Sequence, residues 1–217
     1  FEAQVKTIAH LHSLDYKAIG LGDYGKPGNY FERQIGRWTK QYIASETQKV
    51  DNMDKLMAWL PGQIPQDDAT SIVHGDFRLD NMVLHPTKPE VSAVLDWELS
   101  TLGHPLGDFT YHLMQWHMPS IKTMVTASLA SRDLGELGIP TAEQYIRMYC
   151  EAVGRDGIEN IDFYLAFNMF RLAAILQGIV GRVRDGTASS AHAGEMEKNI
   201  PPLADVGWAF AQKAGAI

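Results

Sequence analysis

The sequence predicts a mainly helical α+β chain with one small β element near its middle. Apolar residues recur at helical spacing on both sides of the centre, and short β-branched runs crowd into residues 71–95. No strand–helix alternation of a doubly wound sheet runs through the chain. With 217 residues there is room for one large domain or two small ones, and no internal repeat divides them.

Taken in order, residues 1–15 carry Phe1, Val5, Ile8 and His12 on one stripe, widened by Leu11 and Leu14, which predicts a helix. It begins abruptly, so further sequence upstream is expected. Residues 16–29 hold Gly20, Gly22, Gly25, Pro27 and Gly28 and read as a loop. Phe31, Ile35, Trp38 and Tyr42 place a helix over 30–46, with Asn29 as its N-cap. Val50, Met53, Met57 and Leu60 place a shorter one, stopped by Pro61-Gly62. Ser71-Ile72-Val73, residues 81–84 and residues 91–95 read as three short strands of a single small sheet. Further helices are expected at 105–117, 120–134, 141–153 (Thr141 and Gln144 forming a capping box), 160–184 and 201–214. Residues 185–194, rich in Gly, Ala and Ser, read as a flexible linker to the C-terminal helix.

Composition narrows the function classes. A formal charge of −7 gives no electrostatic footprint for nucleic acid or an anionic membrane. Cys150 is the sole cysteine, so no internal disulfide and no multi-cysteine zinc site can form. The most apolar stretch, 163–183, is interrupted by Asn168, Arg171, Gln177 and Arg182, which argues against a membrane span and for a cytoplasmic domain. Gly20-Leu21-Gly22-Asp23-Tyr24-Gly25 spells a phosphate-loop pattern, but it follows a helix and precedes Lys26-Pro27-Gly28 where a nucleotide fold needs strands. His10 with His12 and His112 with His117 lack the i, i+4 spacing of a helical metal site.

One stretch carries chemistry: His74-Gly75-Asp76-Phe77-Arg78-Leu79-Asp80-Asn81, followed by Leu95-Asp96-Trp97-Glu98. It sets a carboxylate, an amide and a second carboxylate at the ends of short strands. Asn81 and Asp96 offer hard oxygen ligands that suit Mg²⁺. Asp76, five residues before the amide, can stand clear of a metal and accept a proton from an attacking hydroxyl. The spacing H-x-D-x-x-x-x-N, then a strand ending in Asp, is that of a phosphoryl-transfer loop.

These two segments resemble the aminoglycoside phosphotransferase (choline kinase-like) family of the protein-kinase fold, above all the kinase-like domains fused to acyl-CoA dehydrogenases in some relatives. Ile8-Ala9-His10-Leu11-His12 and residues 30–42 are similar to the helices that open that family's C-terminal lobe, and Gly103-His104-Pro105-Leu106-Gly107-Asp108-Phe109 to its segment after the metal aspartate. The resemblance implies that residues 1–217 are a C-terminal lobe without the N-terminal ATP lobe. It implies Asp76 as catalytic base, Asn81 and Asp96 as ligands of the magnesium of MgATP, Val83 and Leu95 as the adenine floor, and His74 and Asp108 as structural supports of the loop. The implied activity is transfer of the γ-phosphate of ATP to a hydroxyl of a small molecule, aminoglycoside-like or hydroxyacyl, with a fused or associated domain as partner. Asp96-Trp97-Glu98 departs from the Asp-Phe-Gly of protein kinases, which argues against a protein-kinase activation switch there. Glu151, Asp156, Glu159 and Asp162 are candidates for receiving a polyamine, and Arg78, Arg171 or Arg182 for receiving an anionic acceptor. A non-catalytic nucleotide- or partner-binding pseudokinase lobe is the alternative, and a metal-dependent hydrolase using His74, Asp76 and Asp96 a third reading.

Overall fold

The computed structural model describes residues 1–119, 128–187 and 193–217. Their elements run α1 (Glu2–Ser13), α2 (Tyr30–Ser45), α3 (Asp51–Trp59), β1 (Ser71–Val73), β2 (Met82–Leu84), β3 (Val91–Val94), β4 (Thr101–Gly103), α4 (Pro105–Leu113), α5 (Ala142–Val153), α6 (Ile161–Arg184) and α7 (Ile200–Lys213). Helix predominates and the strands are short, as the periodicities predict. The chain forms two compact units. The first combines Phe1–Tyr30, Gln66–Leu113 and Asp133–Glu159; the second combines Phe31–Pro65, Met114–Arg132 and Asn160–Ile217.

In the first unit, α1 buries Gln4, Val5, Ile8 and Ala9 and packs on α5 and β1. This is the stripe anticipated from spacing, shifted so that Ala9 is inside and Leu11 lies at its margin. The strands correct one expectation. In place of a single sheet there are two antiparallel pairs, β1 with β4 and β2 with β3. Strand β4 escapes sequence analysis because Thr101-Leu102-Gly103 is too short to alternate and ends in a residue that weakens strands. Gly103 is needed there: a Cβ would lie 2.6 Å from the Tyr30 ring and 2.8 Å from Val73. Asn29 has a left-handed backbone (φ 48°), and its N–H donates to Asp68 at 3.4 Å.

The second unit is built around α6. That helix is long and apolar enough to cross a membrane, but 89% of its most apolar window is buried inside the fold. Phe31 meets Phe163 and Phe167 edge to face at 5.5 and 5.1 Å. Gln177, wholly buried, donates to the Ser45 carbonyl at 2.6 Å and so ties α6 to the end of α2. The Pro61-Gly62 stop takes the form of a tightened turn, Leu60–Gln63, with the proline where a missing N–H costs nothing. Of the helix expected at 120–134, residues 120–127 lie outside the described residues, and 128–134 are turns. There the backbone bonds point elsewhere: Leu129 N–H donates to Gln115 and the Ser128 hydroxyl to Met118. Within 185–194, residues 188–192 also lie outside the described residues.

Helix α5 starts as its sequence dictates. Thr141 Oγ1 accepts the Gln144 N–H at 3.2 Å while Gln144 Oε1 accepts the Thr141 N–H at 2.8 Å, and Gly154 closes the helix in the left-handed conformation. Thr141→Ala should therefore cost about 1 kcal/mol in chemical denaturation, and Thr141→Ser far less. Equal stability of Thr141→Ala and the parent chain would show that the box is not a determinant of α5.

Candidate active site

The candidate site is a loop, residues 74–81, leaving β1 and gripped from behind by one face of α4. Asp108, in the first turn of α4 and 1% exposed, accepts the His74 N–H at 2.7 Å and the Gly75 N–H at 2.9 Å. His12 Nε2–H donates to the same carboxylate at 3.2 Å. Burial of Asp108 works to raise its pKa, but the His12 and backbone donors outweigh it and hold the carboxyl below the usual range. His12 is oriented by Tyr149, whose phenol, kept protonated by burial, donates to Nδ1 at 2.8 Å; Phe109 stacks on Tyr149 at 3.9 Å. One turn along α4, His112 Nδ1–H donates to the Phe77 carbonyl at 3.2 Å. Gly75 holds φ +85°, and a Cβ there would lie 2.7 Å from the Leu99 carbonyl. Only glycine satisfies both.

Asp76 is thereby presented with its carboxylate partly open, its side chain 17% exposed. Oδ1 accepts the Tyr111 hydroxyl at 2.8 Å, and Oδ2 accepts Asn81 Nδ2–H at 2.9 Å and pairs with Arg78 Nε at 3.2 Å. Arg78 also faces Asp80 at 3.6 Å. Asn81 Nδ2 donates a second time, to the Asp76 carbonyl at 2.9 Å. Both partners can only accept, so the amide orientation is fixed and Oδ1 of Asn81 is turned away from them.

His74 joins this loop to the segment that carries Asp96. Its Nε2–H donates to the Leu95 carbonyl at 2.9 Å while Nδ1 accepts the Asp76 N–H at 3.2 Å. Leu95 N–H in turn donates to the Asn81 carbonyl at 2.8 Å. Both nitrogens of His74 are thus engaged, which removes it as a ligand and with it the hydrolase reading. Asp96 has a left-handed backbone (φ 65°), which Asp tolerates better than most residues, and its carboxylate is exposed. Asn81 Oδ1 and the Asp96 carboxylate are hard oxygen groups, the donor type that Mg²⁺ prefers. Among the described residues no group of three His, Cys, Asp or Glu side chains is placed to hold a metal. Val83 and Leu95 are 44% and 48% exposed.

The acceptor candidates separate. Arg171 is buried in the second unit with its guanidinium over the Trp38 ring at 5.8 Å, which makes it a core residue. Arg78 is committed to Asp76 and Asp80, while Arg182 is exposed. Glu151, Asp156 and Glu159 are exposed, and Asp162 lies in the first turn of α6. Sequence analysis missed Tyr111, which shares a helix face with Asp108 and His112 by the i, i+3 and i, i+4 rule. It also missed the brace of Asp67, which faces His104 at 3.6 Å and Arg155 at 3.3 Å.

A model of the phosphotransferase enzyme family matches residues 1–156. The chain belongs to that family. Acyl-CoA dehydrogenase family member 10 of Mus musculus is 46% identical over 215 residues, covering 99% of this chain and 20% of the relative. A solved structure from Ralstonia eutropha JMP134, provisionally named an aminoglycoside phosphotransferase, shares 56% identity at a TM-score of 0.91, covering 98% of this chain and 64% of that one. The macrolide 2′-phosphotransferase of Brachybacterium faecium has the same fold at 18% identity and a TM-score of 0.57, over 93% of this chain and 59% of that one. The chain therefore spans only part of the relatives it matches.

Burial lowers the pKa of both His104 and His112 from 6.5 to about 4. Each is neutral when folded and gains a proton on unfolding in acid, so stability is complete above pH 6.5 and falls as pH drops toward 4. The loss should reach up to about 3 kcal/mol per histidine. His112→Asn, whose amide can replace the Nδ1 donor, should remove roughly half of this dependence in urea melts at pH 7 and pH 4.5. An unchanged pH dependence would show that His112 is not a buried neutral imidazole.

Proposed function

We propose that the chain is the C-terminal lobe of an ATP- and Mg²⁺-dependent small-molecule kinase, with its ATP lobe supplied by sequence outside these 217 residues. The carrying observation is the pair of bonds through Leu95, to the backbone carbonyl of Asn81 and from His74, which tie the residue before Asp96 to the loop that presents Asp76 and Asn81. Family membership supports phosphotransfer.

In this reading Asn81 Oδ1 and the Asp96 carboxylate hold magnesium, which when bound neutralises phosphate charge. Asp76 orients the acceptor hydroxyl and takes its proton. Asp108 and His74 fix the loop, so that orientation costs little at the moment of reaction. Val83 and Leu95, apolar and exposed, suit the face of an adenine ring. The acceptor is a small molecule bearing a hydroxyl; the relatives' names favour a hydroxyacyl compound, and the exposed Glu151, Asp156 and Glu159 an aminoglycoside-like cation. The intact set of Asp76, Asn81 and Asp96 favours catalysis over a pseudokinase role.

In the complete protein, Asp76→Asn should lower turnover about 10²–10⁴-fold while MgATP affinity changes little. Steady-state ADP release with a panel of hydroxylated acceptors, alongside calorimetric titration of MgATP, separates the two quantities. Unaltered turnover would remove Asp76 as the base.

A further inference from the structure

We propose that Tyr111 is the positioning residue that selects Oδ1 of Asp76 as the proton-accepting atom and so places the acceptor hydroxyl beside its own phenol. This deepens the reading of Asp76 as base and rests on it. A carboxylate oxygen has two in-plane lone pairs. One of those on Oδ2 is taken by Asn81 Nδ2–H at 2.9 Å, and the Arg78 guanidinium stands against the same oxygen as an ion pair at 3.2 Å. Oδ1 has the Tyr111 hydroxyl at 2.8 Å as its donor among the described residues, which leaves one lone pair open. An incoming hydroxyl therefore donates to Oδ1, on the Tyr111 side of the carboxylate.

The phenol does two things there. Its bond fixes the rotation of the carboxylate about its Cβ–Cγ bond, since one oxygen is held from α4 and the other from the loop itself. It also sets the direction of the remaining lone pair. Tyr111 is partly exposed, so its edge forms part of the surface an acceptor meets, whereas Asp108 and His112 on the same helix are sealed. In the transfer, the acceptor oxygen forms its bond to the γ-phosphorus and its proton passes to Oδ1. The bond from that phosphorus to the bridging oxygen breaks, and its electron pair leaves with ADP. Tyr111 keeps its proton throughout. An acceptor whose hydroxyl flanks a flat apolar surface is favoured by such an edge.

The test uses the complete protein with MgATP and water as the acceptor, measuring ADP and phosphate release. Tyr111→Phe should lower kcat about tenfold, leave KM for MgATP within about twofold, and leave the thermal midpoint near that of the parent. In an Asp76→Asn background the same change should add no further loss, because its whole effect passes through the carboxylate. 3-Fluorotyrosine at position 111 should shift its fluorine resonance on Asp76→Asn with no nucleotide present. A full kcat for Tyr111→Phe, an additive loss in the double variant, or an unmoved fluorine resonance would overturn the assignment while leaving Asp76 as base. If Asp76→Asn alone retains the full rate, the base reading fails first and the role of Tyr111 falls with it.

Discussion

The candidate site depends on one buried carboxylate. Asp108 is sealed from water and accepts two successive backbone N–H groups, those of His74 and Gly75. A desolvated carboxylate is costly unless its lone pairs are filled, and charge-assisted bonds of this kind contribute about 1.5–3 kcal/mol each. That balance holds only in one geometry, with the chain turning through a left-handed Gly75. The same helix face then supplies Tyr111 to the side chain of Asp76 and His112 to the carbonyl of Phe77. Four consecutive loop residues are thus read by three side chains of α4.

Behind this clamp lies a chain of paired groups, Asp108 to His12 to Tyr149, with Phe109 stacked on the last ring. Rigidity at the loop is drawn from helices α1, α4 and α5 together. In front of it the side chains are less committed: Asp96 is exposed, Asn81 has turned one oxygen away from Asp76, and Val83 and Leu95 present apolar surface. On the proposed reading, a fixed base beside open oxygen ligands is the division of labour that in-line phosphoryl transfer requires.

Much of this was legible in the sequence because it is local. The Thr141 capping box rests on contacts within a few residues, and the β-branched runs at 71–73 and 91–94 and the spacing from His74 to Asn81 are patterns readable within a few residues of chain. What escaped depends on distant partners. Strand β4 exists because β1 lies alongside it, and three residues ending in glycine give no period of their own. The turns at 128–134 stand where the end of an expected helix was placed, because their bonds reach back to Gln115 and Met118. Tyr111 was hidden for a different reason: an i, i+3 pair with Asp108 has no special meaning until the loop opposite it is known. Arg78, a candidate acceptor ligand by charge alone, is claimed by carboxylates two residues away on either side.

The Mg²⁺ dependence of ATP binding tests the central claim, that Asn81 and Asp96 form a metal edge next to the base. Calorimetric titration of the complete protein with ATP, with and without Mg²⁺, should be compared for the parent, Asn81→Ala and Asp96→Asn. Asparagine is the informative replacement at 96, because it tolerates the left-handed backbone and removes only the charge. The expected result is that Asp96→Asn abolishes most of the Mg²⁺-dependent gain in affinity, with a milder loss for Asn81→Ala and little change in the metal-free titration. An undiminished Mg²⁺ gain in Asp96→Asn would contradict the assignment.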